Sequence, residues 1–426
     1  MAISNLYPAE GPTLNLNFAN SRILDHRITF TRTTSGTYTD RDGLIKYALS
    51  DGPRFNHQYV NGEVESLGLL IEEGSTNYFT QSIISNWASS PVAGTKTGSA
   101  GISPDNTNTA TLLEATATNS QTRIENGGQR TPGTTYTMSC FCKAGTVDYC
   151  TFGLYELTDG VKNFQAIFYL TGEGTVTFDD NCDATITPYT NGWYRCTMTI
   201  TLTAGASYSG SGWKLGVCDS PTAYYNAQPG DNVYFWGAQL ERKSFATSYI
   251  PTSGGEGDRG VDNAYIDGDN FSNWYNQTEG TVYCEFKCDS WNDANSVSNY
   301  NRVYVVSSND GFENDSFWIA NDPLADNTLR YRIKYAGTNV FGPQDAVRNF
   351  DVVKSAFAVK TNNVALVTNG NIDASSTNVL LPSIMKSIHI GSEPAGGGIH
   401  YLNGHISQLT YYPTRLTNAQ LQNLTK

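Results

Sequence analysis

Ile390-Gly391-Ser392, then Tyr401-Leu402-Asn403-Gly404-His405-Ile406-Ser407-Gln408-Leu409-Thr410-Tyr411-Tyr412, then Leu416-Thr417-Asn418-Ala419-Gln420-Leu421 are the strings whose reading decides the fold. Gly404 marks a turn, and Ile406 to Tyr412 is a strand rich in aromatic and β-branched residues. Thr417 or Asn418 can cap a short terminal helix with Leu421 and Leu424 on its packed side.

Composition extends that strand to the whole chain. Among 426 residues there are 40 Gly and 26 Tyr, 12% are aromatic and only 16% charged, a mixture of strand and turn formers rather than of helix formers. The fold class expected is all-β, in two or three domains each large enough to bury a core. A net charge of -13, with no run among the 27 Lys and Arg, excludes a nucleic-acid groove and favours solubility. No apolar run reaches the roughly 20 residues that span a bilayer, so membrane insertion is not expected. Met1 to Pro12 lack the basic start and apolar core of a signal peptide, and folding in a cytoplasm is the expectation.

Three segments separate along the chain. In residues 1–77, Leu14, Leu16 and Phe18 alternate with Asn15 and Asn17, and Ile28-Thr29-Phe30-Thr31-Arg32 repeats the period of two. Thr37 to Ile45 reads as a hairpin turning at Asp42-Gly43. Asp40-Arg41-Asp42-Gly43 has the look of half a calcium loop, but the later acidic ligand is missing and a plain turn is favoured. In residues 78–252, Tyr136 to Gly145, Gly192 to Ile200 and Asp231 to Glu241 alternate strand after strand, the spacing of a jelly-roll β-sandwich. Ser253 to Gly260 is glycine-rich and polar, and reads as a spacer. Residues 261–426 carry further strands, with a hairpin at Asn369-Gly370.

The strings at Tyr401 to Leu421 resemble the close of laminin-G-like, concanavalin-A-like sandwich domains, which implies a concanavalin-A-like β-sandwich for 261–426. The closing Gln239-Leu240-Glu241 resembles the end of jelly-roll carbohydrate-binding modules. That resemblance implies an acidic calcium ligand on the closing strand, but Trp236 or Gly237 stands there, so no metal is assigned. Arg27 to Arg32, Pro53-Arg54-Phe55-Asn56-His57 and Ser66 to Asn77 resemble the N-terminal segment of tailed-bacteriophage virion surface proteins, either tail fibres and spikes or head decoration. This implies that 1–77 is a virion-docking segment, with other virion proteins and host-surface glycans as partners. It also implies a homo-oligomer, with a trimer the form expected of an outward-pointing fibre, and location in a virion assembled in the host cytoplasm.

Sugar binding needs exposed aromatic faces beside amide and carboxylate hydrogen-bonders. Trp213, Tyr224 and Tyr225 lie beside Gly- and Pro-containing loops and are the candidate ligand-binding residues, whereas Trp193 and Trp236 lie in strand alternations and are assigned to the core. Catalytic residues are not assigned. The strand with Glu285 has no second acid in alternation, as a glycosidase would need, and Glu63-Val64-Glu65 lies beside a turn. His26, His57, His389, His400 and His405 show no metal-site spacing, and no serine elbow or phosphate loop occurs. The eight cysteines, Cys140 and Cys142 among them, have no metal spacing either and are read as buried reduced thiols; no cofactor is expected. No rung period of a β-helix spike appears.

The expectation is a non-enzymatic virion surface protein that binds host glycans through multivalent display. A capsid decoration or cement protein is the structural alternative, and a glycan-degrading depolymerase the enzymatic one.

Overall fold

Where side chains alternate, one phase must turn inward, and two facing sets of inward phases make each core of this chain. The structure, a computed structural model, describes residues 6–119, 121–156, 162–205, 212–222, 226–289, 301–308, 314–322, 328–343, 352–382, 384–394 and 400–426. The chain is all-β, with the strands gathered into two sandwiches and a few small pairs.

The strand Gly404–Tyr412 organises the first sandwich. One edge pairs antiparallel with Glu279–Cys288. The other edge takes two strands from the start of the chain: Gly404 to Ile406 pair with Leu69 to Ile71, and Gln408 to Tyr411 with Leu14–Asn17. With Phe55–Val60, Glu63–Ile71, Val353–Lys360, Val364–Thr368 and Asn371–Ser376 they form an eight-stranded sheet. Facing it is a seven-stranded sheet, to which the early chain again contributes Thr29–Thr31, paired with Asn263–Asp267. Leu16, Phe30, Leu69, Ile266, Tyr304, Phe317, Phe357, Ile406 and Tyr411 meet in the core between them. The terminal helix Asn418–Leu424 starts as expected: Thr417 and Gln420 form a reciprocal capping box, and Leu421 is buried on the outer side of the eight-stranded sheet, with Ala356, Ala365 and Tyr412.

Residues 1–77 therefore do not stand apart as a separate segment. Leu14–Asn17, Thr29–Thr31, Phe55–Val60 and Glu63–Ile71 are integral to the sandwich formed by 261–426, because the long strand Gly404–Tyr412 would otherwise leave one edge of its ladder open.

The second sandwich is the jelly roll, inserted into the first. A six-stranded sheet, built around Thr135–Ala144, Trp193–Thr201 and Asn232–Glu241, faces a five-stranded one. Met138, Cys142, Phe152, Phe164, Met198, Leu215 and Phe235 fill the space between them. The outer face of the six-stranded sheet is apolar too: Phe141, Trp193 and Trp236 pack there with Tyr249 and with Ile45 of the hairpin Gly36–Thr39/Ile45–Ala48. Trp193 and Trp236 are thus buried as expected. The hairpin's Asp42-Gly43 tip is a plain turn, in which Asp40 Oδ1 accepts from the amides of Asp42 and Leu44 at 2.9 Å each.

The presumed spacer is ordered. Gly257–Arg259 pairs with Ser75–Asn77, so the chain leaves the outer sandwich and returns to it on adjacent strands. At that junction lies a buried ionic clamp. Asp262 takes Arg32 Nη1 at 3.0 Å on one oxygen and Arg54 Nη2 on the other. Glu72 takes Arg54 Nη1 at 2.7 Å, Arg259 Nη1 at 3.5 Å and two bonds from Ser248, both at 2.7 Å. The surplus positive charge is met by carbonyls: Arg32 also donates to Thr34 O and Leu49 O, and Arg54 to Thr37 O. Arg32, Arg54, Arg259, Glu72 and Asp262 are all buried. The spacer reading failed because Arg259 is tied into this network.

Removing one member strands the others without water, at about 3–5 kcal/mol. Asp262→Ala should lower the unfolding free energy of the full chain by that order, read by denaturant titration. Burial alone would push the Glu72 carboxyl up, but Arg259, Arg54 and the Ser248 bonds outweigh it and hold the group well below the usual carboxylate range. Its contribution is therefore complete above the unfolded value of about 4.3 and is lost as pH falls from there. Stability of the wild type should drop steeply below about pH 4, and Glu72→Gln should flatten that slope.

Candidate functional site

Trp213 does not present a face to a ligand. It is 0% exposed, its indole donates to Gln129 O at 3.2 Å, and Tyr136 packs edge-on against it at 5.8 Å. The cause is phase: in Trp213–Cys218, Trp213, Leu215 and Val217 form the inward set, and the neighbouring glycines do not alter it. Tyr224 and Tyr225 lie outside the described residues.

Cysteines widely separated in sequence do converge. The Sγ atoms of Cys142, Cys150 and Cys196 lie within 4.8 Å of one another, drawn from both sheets of the jelly roll. Burial pushes the thiols of Cys142 and Cys196 well up. Burial would push Cys150 up as well, but the contacts from Cys142 and Cys196 bring its thiol down to about 6, and the residues around the three in that core are apolar. The late histidines do not converge among the described residues: His389 stacks on Tyr265, His400 sits 3.6 Å from Glu393, and His405 is 3.1 Å from Asp289.

The polar phase of the five-stranded sheet builds a more capable surface. Its strands run in the order Thr122–Asn126, Trp213–Cys218, Tyr149–Glu156, Lys162–Tyr169, Thr175–Asp180. Inward go Ile124, Leu215, Phe152, Leu154, Phe164 and Phe168. Outward, in register across all five strands, lies the row Glu125, Lys214, Gly153, Gln165 and Asp180. Arg123, Gly216 and Thr151 form the next row. Gly153 and Gly216 leave the floor open; at Gly216 a Cβ would lie 2.8 Å from Thr151 Cγ2 and 2.9 Å from Thr122 O.

Around that floor the side chains hold one another. Arg123 donates to Glu125 Oε1 at 2.7 Å and to Gln121 Oε1 at 2.5 Å, and Gln121 donates to the Tyr155 hydroxyl at 3.1 Å. Lys214 Nζ stands 3.1 Å from the centre of the Tyr155 ring. Burial pulls the Lys214 ammonium down to about 8, against the opposing pull of Glu125. Asn163 donates to Gln165 Oε1 at 3.2 Å, but Gln165 Nε2 is buried with no partner, although the residue is only 3% exposed. The depression between these residues has a volume of about 20 Å³, enough for one hydroxyl or water. An orphaned amide donor beside a hydroxyl-sized notch is an unfilled hydrogen-bond position.

None of these residues was singled out from the sequence. The signal was present in Trp213–Cys218, where Lys214 occupies the phase opposite Trp213; attention to the aromatic drew the reading to the wrong face.

No protein-family model matches the chain, and no curated protein matches it. Solved structures do. The CBM40 of Ruminococcus gnavus IT-sialidase bound to α2,3-sialyllactose is 15% identical over 37% of this chain and 88% of its own, with a TM-score of 0.31. Domain 4 of AbnA, a GH43 extracellular arabinanase from Geobacillus stearothermophilus, in complex with arabinotriose, is 14% identical over 39% of this chain and 73% of its own, with a TM-score of 0.28. A heptameric SAP-like pentraxin from Limulus polyphemus is 17% identical over 35% and 70%, with a TM-score of 0.27. At these scores the likeness carries no argument about the site.

Two outcomes test this geometry. Trp213→Ala should destabilise the chain by about 3–5 kcal/mol, as deletion of a large core side chain does, measured by denaturant unfolding. Side-chain NMR of the lysines should place the Lys214 midpoint near 8, while exposed lysines titrate at about 10.4. The sign for stability follows: between those values the unfolded chain binds the extra proton, so this group makes stability rise with pH there, and Lys214→Met removes that rise.

Proposed function

We propose that this chain is a non-enzymatic glycan-binding protein that holds polysaccharide along the open face of the five-stranded jelly-roll sheet. The observation that carries this reading is the buried, unpartnered Gln165 Nε2 of a residue that lines a notch of hydroxyl size together with Lys214 and Tyr155. Sugar hydroxyls both donate and accept, and the face offers both: Gln165 and Lys214 as donors, Glu125 and Asp180 as acceptors in the same row. A polar row across five strands suits a ligand touching several positions weakly, and many copies on one body would multiply that contact.

The CBM40 and the arabinanase domain are named with sugars bound, which is consistent with this reading without adding weight to it. The display of the protein on a tailed-phage virion, as a homo-oligomer facing host glycans, remains part of the proposal and rests on the resemblance of the early strings. Arg32, Arg54 and Glu72, which belong to those strings, serve the clamp. The reading as a glycan binder stands whether the particle is a tail fibre or a decorated head.

Retention of purified full-length protein on host surface polysaccharide tests the proposal. Gln165→Leu and Lys214→Met should each weaken retention about tenfold, the worth of one charge-assisted or buried hydrogen bond, with the fold retained by circular dichroism. Release of reducing ends from the polysaccharide would replace binding with depolymerase activity. Tight attachment to empty capsids with no polysaccharide retention would favour the decoration role.

A further inference from the structure

We infer that the crevice between the two sandwiches is a second binding site, for a single neutral hydroxylated ring such as a monosaccharide unit. It is separate from the open sheet face and does not rest on that reading. The crevice has a volume of about 260 Å³, just below the range of pockets for drug-sized ligands, and thus fits one compact ring rather than a long chain.

Three parts of the molecule supply its walls: Tyr38 from the early hairpin, Tyr59 and Lys287 from strands of the eight-stranded sheet, and Tyr189 and Phe245 from the jelly roll. The three tyrosine hydroxyls make no hydrogen bond among the described residues, so ring faces and unused hydroxyl groups meet in one space.

Charge selects the ligand. Asp289 continues the ladder beyond Glu279–Cys288, its amide donating to Asn403 O at 2.9 Å, so Lys287 and Asp289 point to the same side, roughly 7 Å apart along the strand. Lys287 Nζ donates to Gln58 Oε1 at 3.3 Å and keeps further donors. Behind Asp289 lies His405. Asn56 Oδ1 accepts from Thr39 N at 2.7 Å, which turns Asn56 Nδ2 toward His405 Nε2 at 2.8 Å. His405 Nε2 is then the acceptor, the ring proton sits on Nδ1, and Nδ1 faces Asp289 Oδ2 at 3.1 Å.

Lys287 and Asp289 side by side offer one donor and one acceptor, which suit adjacent hydroxyls, one accepting and one donating. The other acid in the wall, Glu72, is consumed by Arg54, Arg259 and Ser248. Among the described residues the paired free carboxylates of glycoside hydrolysis are therefore not assembled here.

Saturation-transfer NMR and calorimetry on the full chain, with glucose, galactose, mannose, N-acetylglucosamine and glucuronate as probes, test this. At least one neutral sugar should bind, glucuronate should bind at least tenfold more weakly than it, and Asp289→Asn and Lys287→Met should each weaken the neutral sugar tenfold. Tyr59→Phe, which keeps the ring and removes one hydroxyl, should weaken it less, and Gln165→Leu not at all. Absence of binding by every neutral sugar, equal binding of glucuronate, or insensitivity to the Asp289 and Lys287 variants would overturn the site. Loss of polysaccharide retention in Gln165→Leu with monosaccharide binding intact separates the fate of this site from that of the sheet face.

Discussion

The clamp of Arg32, Arg54, Arg259, Glu72 and Asp262 is the interaction on which the arrangement of the molecule depends. Its members come from the chain before the jelly roll and from the chain after it, and Ser248 joins them from the jelly roll's last turn. An apolar contact tolerates sliding by an ångström; a buried charge that loses its partner does not. The network therefore admits one docking of the two sandwiches and fixes the crevice between them. It sits directly behind the hairpin whose Ile45 closes the apolar outer face of the six-stranded sheet, so that electrostatic and hydrophobic constraints agree on the same geometry.

Local elements were legible because their causes are local. The strand ending at Tyr412, the Thr417 cap, the Asp42-Gly43 turn and the Asn369-Gly370 turn, with φ of 46° and 79°, each follow from a few adjacent residues. The role of residues 1–77 was not legible, since nothing near Leu14 announces a partner at Tyr411. A hint lay in Leu69-Leu70-Ile71-Glu72 and in Arg54 beside Phe55: charges set against apolar runs ask for buried counter-ions. Read as separate motifs they gave a segment boundary, whereas read as a charge balance they would have given a junction.

The residues of the proposed site were not legible. An aromatic beside glycine drew the choice to Trp213, but strand phase overrides loop proximity and turns Trp213 inward and Lys214 outward. The row from Glu125 to Asp180 required the register of five strands, and that information resides in pairing, not in any one stretch. The Cys142, Cys150 and Cys196 cluster makes the same point from inside the core, since proximity across two sheets leaves no mark on spacing.

Because Ser75–Asn77 lies against Gly257–Arg259, the jelly roll is a loop insertion with its two ends side by side. The strands of its two sheets all fall between Gly94 and Glu241, so that unit can close while ribosomal synthesis continues. The outer sandwich must wait for Gly404–Tyr412, the partner of its earliest strand. Until then Leu14–Asn17 lacks its partner and Glu63–Ile71, paired only with Phe55–Val60, keeps one edge open, and the interval of translation before Gly404–Tyr412 is when this polypeptide is most exposed to self-association.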